Sequence, residues 1–268
     1  MTEETMSPEH LAYLRGLRVK AALVRGTQFL LLVGLFVLWE VAASRGWINA
    51  FIFSQPTRIW AALVRLYREG SLWRHLGWTV WETVLGFTLG TAAGIVIAVM
   101  LWWSEFFSQV MDPYIVVLNS IPKVALGPIF VVWLGTTITA VVAMAIAVSI
   151  IVAIMMMHTG FKEVDPNKVM LVRTFGASKG QILWKVIIPA SIPTMIAALK
   201  VNVGLSLVGT IVGEFLASKA GLGYLIVYGG QVFNMSLVMA SVLLLLAVSV
   251  VLYYGVTFLE ERVTKGRQ

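Results

Sequence analysis

Six stretches of the chain are nearly unbroken apolar runs: 27–44, 76–101, 113–134, 138–159, 194–216 and 235–259. A helix rises 1.5 Å per residue and needs about 20 apolar residues to cross the hydrocarbon of a bilayer. The pattern therefore predicts an all-α polytopic membrane protein with six spanning helices. The first run is short, and the third is interrupted by Pro122 and Pro128. The polar segments between runs carry their own signals. Residues 1–26 hold Arg15, Arg18, Lys20 and Arg25 and read as an amphipathic helix on the inner membrane surface. Residues 57–69 read as a second amphipathic helix, lying in the outer interface. Between Glu163 and Pro193 the chain leaves the membrane, and the residues there predict two short helices with Gly176 at the corner and Pro189 and Pro193 closing the far end. The expected organisation is a lead at 1–26, a first helix with its interfacial helix at 27–75, a core at 76–260 containing the loop 160–193, and a tail at 261–268.

Composition agrees with a membrane protein. The chain is 59% hydrophobic and only 12% charged, against about 25% charged for a soluble domain. Its mean hydropathy is +0.88. With the N-terminus inside, twelve lysines and arginines fall on the inner side, five of them at Lys162, Lys168, Arg173, Lys179 and Lys185, against six on the outer side. That bias places both termini in the cytoplasm. It also accounts for the net charge of +7 without nucleic acid. The sequence Val41-Ala42-Ala43 is like a signal-peptide cleavage site, but the charged lead before it is longer than a signal peptide's, so the first run is expected to remain as a spanning helix. There is no cysteine, the histidines at 10, 75 and 158 are far apart, and neither a zinc motif nor a phosphate-binding loop occurs. If ATP drives this protein, another chain binds it.

Several features lie inside the predicted spans. Glu82, Gly86, Gly90 and Gly94 recur at spacings of four and share one helix face, suited to close helix packing or, alternatively, to a pore-lining stripe. Asn119, Pro122 and Lys123 lie where prolines free backbone carbonyls, which is tolerated only inside protein or beside water. Asn202, Ser206, Gly209, Thr210 and Gly213 form a small, polar face that either packs on a helix or lines a route. Charges at membrane depth each need an explanation. Lys200 is placed to snorkel toward the inner surface, Glu40 and Glu214 to act as wet caps or packing pairs, and Glu82 to be wet. Lys123 has three readings: contact with an anionic substrate, pairing with a glutamate, or bonding to the freed carbonyls.

These residues resemble the permease subunits of binding-protein-dependent ABC importers of type I. The hallmark of that family is a cytoplasmic loop of the form E-A-A, three residues, G, nine residues, I-x-L-P. Gly176 is followed by nine residues and then Val186-Ile187-Ile188-Pro189; the E-A-A positions are Met170, Leu171 and Val172 here. Pro122-x-x-Ala125-x-x-Pro128, Arg173 through Ser178, Pro189 with Pro193, Glu214 and Gly221-Leu222-Gly223 resemble the nitrate, sulfonate and taurine branch. Many branch members have arginine where this chain has Asn119 and Glu82.

The resemblance implies a subunit of the bacterial cytoplasmic (inner) membrane. It would form the pathway with a second permease copy and couple to two cytoplasmic ATPase subunits that bind ATP and Mg. An extracytoplasmic solute-binding protein would deliver the substrate, a small anion such as a sulfonate, taurine or nitrate, or a small heterocycle or aromatic acid. The loop residues Met170, Leu171, Val172, Arg173, Thr174, Phe175, Gly176, Ala177, Ser178 and Pro189 would transmit the ATPase motion. Asn119, Pro122, Lys123, Asn202, Ser206, Thr210 and Glu214 are candidates for the pathway. No catalytic residue, metal site or cofactor is expected in this chain. An ion-coupled secondary transporter or channel is the alternative, but it would show internal inverted repeats. An intramembrane enzyme would need a catalytic pair, and both aspartates, Asp112 and Asp165, lie at or beyond span ends.

Overall fold

The computed structural model describes residues 8–264. Every regular element among them is helical. Two units divide near residue 62 and are described separately.

In the first unit, α1 runs unbroken from Pro8 to Ser44. No proline or turn pair separates the polar lead from the apolar run, so one helix continues through position 26. Within α1, Val19–Ser44 is the part apolar enough to cross a membrane. Residues 1–7 of the expected lead lie outside the described residues. A short helix, α2 (Ala50–Phe53), follows. The next, α3 (Pro56–Arg68), is the strongly amphipathic element expected at 57–69. Glu40 accepts hydrogen bonds from Thr57 N at 3.0 Å and Thr57 Oγ1 at 2.8 Å. It caps the first turn of α3, the favoured place for a carboxylate.

The second unit is built on α4 (Ser71–Trp103), α7 (Ile138–Lys162) and α10 (Ile188–Ala217). Small residues bring their backbones together. A Cβ on Gly90 would lie 2.6 Å from Ser149 Oγ, and one on Gly94 would lie 2.6 Å from Ala153 Cβ. On α10, Gly209 and Gly213 press on the α7 backbone at Ala145 and Val141. Without a hydrophobic drive between lipid-immersed helices, such close packing holds them together. The Gly86, Gly90 and Gly94 face is therefore a packing seam rather than a pore stripe.

The third predicted span is not one helix. α5 (Glu105–Ser120) begins earlier than expected and, after a tight 3-10 turn at Lys123–Leu126, α6 (Gly127–Leu134) follows at 88°. Pro122 ends the ladder, because it lacks an N–H and restricts the residue before it. Lys123 thus starts a turn at a break instead of sitting within a kinked helix. After α10 come α11 (Leu222–Gln231) and α12 (Met235–Thr264). Leu207, Leu222, Leu225, Leu237, Leu245 and Val248 form the core between these helices. Lys200 does not simply snorkel: its ammonium meets Glu260 of α12 at 2.5 Å and lies over the Tyr253 ring.

Candidate functional site

The loop after α7 is a compact, capped structure. Asp165 accepts a hydrogen bond from Asn167 N at 2.8 Å and caps α8 (Pro166–Thr174), with Pro166 in the first turn. At the far end Gly176 N donates to Arg173 O (2.9 Å) and Ala177 N donates to Val172 O (3.1 Å). These two bonds, with Gly176 at φ +77°, make the glycine-terminated helix end known as a Schellman motif. Val172 and Ala177, the apolar pair that accompanies such an end, both pack on the cluster around Met157, Phe161, Leu183 and Ile187. Ser178 and Gln181 then form a reciprocal capping box that starts α9 (Lys179–Ile182). Among the described residues nothing lies within 4 Å of a Cβ at Gly176, so the backbone angle alone demands glycine there.

The second loop helix is not short. α9 continues through a π turn at Leu183–Ile187 directly into α10, one apolar helical run from Lys179 to Ala217. Pro189 and Pro193 therefore do not close the loop; they lie within this run. Proline cannot donate a backbone bond, and the wider turn just before Pro189, in which Ile188 N reaches back to Leu183 O, absorbs the break.

The loop is also tethered. Lys179 Nζ donates to Trp103 O at 2.6 Å, satisfying a terminal carbonyl of α4, and lies over the rings of Trp102 and Trp103. Ser191 Oγ donates to Gly160 O at 2.9 Å, joining α10 to the end of α7. A cleft of about 430 Å³ beside the loop is bounded by Trp102, Glu105, Lys162, Met170, Arg173 and Lys179. Although anchored on its inner side, the loop leaves large apolar groups uncovered: Phe175 is 81% exposed, Met170 67% and Trp184 70%.

Pathway candidates fall into two groups. Asn202, Ser206, Thr210 and Glu214 are all buried. Asn202 Nδ2 donates to Thr91 Oγ1 at 2.7 Å, and the glycines beside the others press on α7. That face fills an interhelical seam in this chain. Glu214 accepts from Thr79 Oγ1 at 2.6 Å and from Gly223 N at 2.5 Å, holding the start of α11 against the bundle. Glu82 is not wet: it is 2% exposed. Asn119, Pro122 and Lys123 form the second group, at the break between α5 and α6. Asn119 and Pro122 are exposed and Lys123 is half-buried. Lys123 Nζ donates to Asn119 O at 2.8 Å, the third of its three expected roles.

Sequence reading missed His75 and Thr79. His75 Nδ1 accepts from Gly221 N at 3.1 Å and Thr79 Oγ1 accepts from Leu222 N at 2.8 Å, so with Glu214 they secure the Gly221-Leu222-Gly223 corner. Their signal in the sequence is an i, i+4 polar pair near the start of a long apolar helix.

The model of the family described as "Binding-protein-dependent transport system inner membrane component" matches residues 86–265. The chain belongs to that family. It is 30% identical to a probable ABC transporter permease protein of Haemophilus influenzae, over 87% of this chain and 95% of that protein. It is 26% identical to the putative aliphatic sulfonates transport permease protein SsuC of Escherichia coli, over 84% of this chain and 86% of the relative. The formylaminopyrimidine transport permease protein ThiX of Halalkalibacterium halodurans is 30% identical, over 71% of this chain and 75% of the relative. A solved chain of the MetNI methionine ABC transporter, in an inward-facing conformation, shares the fold with a TM-score of 0.57 at 20% identity, covering 73% of this chain and 94% of that one. The protein is thus an ABC transporter permease of the importer type, a multi-pass transport subunit related to the sulfonate and taurine permeases.

Proposed function

We propose that this chain forms the membrane pathway of an ATP-driven importer as a dimer and is driven by two separate ATPase subunits docking on the 163–187 loop. The observation that carries this reading is the loop itself. It is capped at both helices, tied to α4 and α7, and still presents Phe175, Met170 and Leu171 to water. A rigid apolar surface of that kind on a water-facing loop fits a protein partner. A push on α8 would pass through Val169 and Val172 into the cluster at the ends of α4, α7 and α10.

The charge bias puts this loop and both termini in the cytoplasm of a bacterial cell with the chain in the inner membrane. ATP and magnesium belong to the partner chain. A solute-binding protein meets the opposite ends of the helices. Asn119, Pro122 and Lys123 remain pathway candidates, because the break between α5 and α6 presents them. The relatives' names favour a small organic anion such as a sulfonate or taurine, or a small heterocycle.

The test is purification from its native host with a tag on this chain. Two copies of the permease with two ATPase chains, whose hydrolysis drives uptake in vesicles, are expected. A transport-active preparation holding this chain alone would overturn the reading.

A further inference from the structure

At the end of the bundle opposite the loop is a cleft of about 210 Å³, between the start of α4, the start of α7 and the segment after α10. Glu82 forms part of its wall, together with Arg74, Trp78, Thr137 and Lys219. The charges are layered. Glu82 lies deep, its carboxyl within hydrogen-bonding reach of the Glu214 carboxyl, and its Oε2 meets no hydrogen-bond donor among the described residues. The neighbouring buried carboxylate, Glu214, already takes the donors that Thr79 and Gly223 offer. Arg74 and Lys219 are exposed at the rim and take part in no ion pair among the described residues. A buried carboxylate oxygen without a donor is costly, so the site calls for a positive group from the cleft, or a proton. The rim in turn calls for a negative one.

We propose that this cleft binds a small zwitterion, its ammonium group on Glu82 and its anionic end on Arg74 and Lys219. Arg74 precedes Glu82 by eight residues, or about 12 Å along the helix, a distance that long, flexible basic side chains shorten. The space equals roughly seven waters at about 30 Å³ each, so the ligand has few heavy atoms. The Trp78 ring supplies an apolar wall for the methylenes between its charges. The inference rests on the importer reading, in which this end faces the solute-binding protein, and it adds a ligand contact on the permease itself.

The experiment uses the full-length chain in lipid nanodiscs, with tryptophan fluorescence titrated against β-alanine and γ-aminobutyrate. A saturable change is expected with at least one of them. Propionate and ethylamine, each carrying one charge, should bind roughly ten- to a hundredfold more weakly. Glu82→Gln should weaken zwitterion binding by a similar factor. The absence of saturable binding by either zwitterion would overturn the proposal. So would a Glu82→Gln variant that binds as tightly as the unchanged chain, the outcome if Glu82 merely holds a proton. Should Glu82→Gln fail to fold, the exposed pair Arg74→Ala with Lys219→Ala decides: undiminished binding overturns the site, and loss supports it. Capture of the ATPase by the same preparations is scored separately. Capture without zwitterion binding removes the ligand site and leaves the importer reading standing, whereas failure to capture removes the importer reading.

Discussion

Thr79 on α4 and Glu214 on α10, 135 residues apart in sequence, are joined by a 2.6 Å hydrogen bond. Each also accepts a backbone N–H from the first turn of α11. The pair thereby satisfies helix-start donors that would otherwise be buried without partners. Gly221, at φ +107°, sits directly against the Glu214 carboxyl.

Glu214→Ala should therefore act on stability. It leaves the Gly223 N–H without its partner and the Thr79 hydroxyl with only the longer bond to His75 O, at a cost of about 1–3 kcal/mol. Thermal unfolding of the purified chain measures this. A change under about 0.5 kcal/mol, usual for surface positions, would show that the corner holds without the carboxylate.

Two glycines on α10 should respond in opposite directions. A Cβ at Gly209 would lie 2.6 Å from Ala145 Cα, forcing helix backbones apart, so Gly209→Ala should destabilise by about 1–3 kcal/mol. A Cβ at Gly204 would meet nothing within 4 Å among the described residues, so Gly204→Ala should be neutral or gain up to about 1 kcal/mol from helix propensity. Equal melting temperatures for the two variants would contradict the packing seam.

Lys123→Met should lower thermal stability and transport together, the former by about 1 kcal/mol, because the ammonium holds the terminal Asn119 carbonyl at the break. Lys123→Arg should keep more of both. Lost transport with unchanged melting would instead place Lys123 in contact with the substrate.

Much of this architecture can be read from the residues. Four of the six spans needed only their apolar length, and Gly176 marked its own turn. The missing parts depended on backbone satisfaction, which residue types do not display. Pro122 and Pro128 signal a broken helix, yet 88° is set by the 3-10 turn between them. Pro189 looks like a terminator but is absorbed by a π turn. The polar face of α10 fits a channel as well as a seam on periodicity alone; only the packed bundle shows Gly209 and Gly213 against Ala145 and Val141 of α7. Glu82 reads as wet from its place near a span end, and only the packed bundle shows it buried.

Lys179 ties the loop to the end of α4 through the Trp103 carbonyl. Lys179→Met should leave ATPase capture intact while lowering the uptake obtained per ATP hydrolysed. Transport and hydrolysis measured in one vesicle preparation check this, and an unchanged ratio would show that the tether plays no part in coupling.

A photo-crosslinking residue at Phe175 offers the sharpest comparison, because that side chain is 81% exposed at the corner of the loop. In membranes from cells expressing the whole transporter, irradiation should join this position to the ATPase chain, with far less product from Lys219, an exposed position in the segment after α10 at the other end of the bundle. Products formed only with lipid or with the permease itself would contradict docking on this loop.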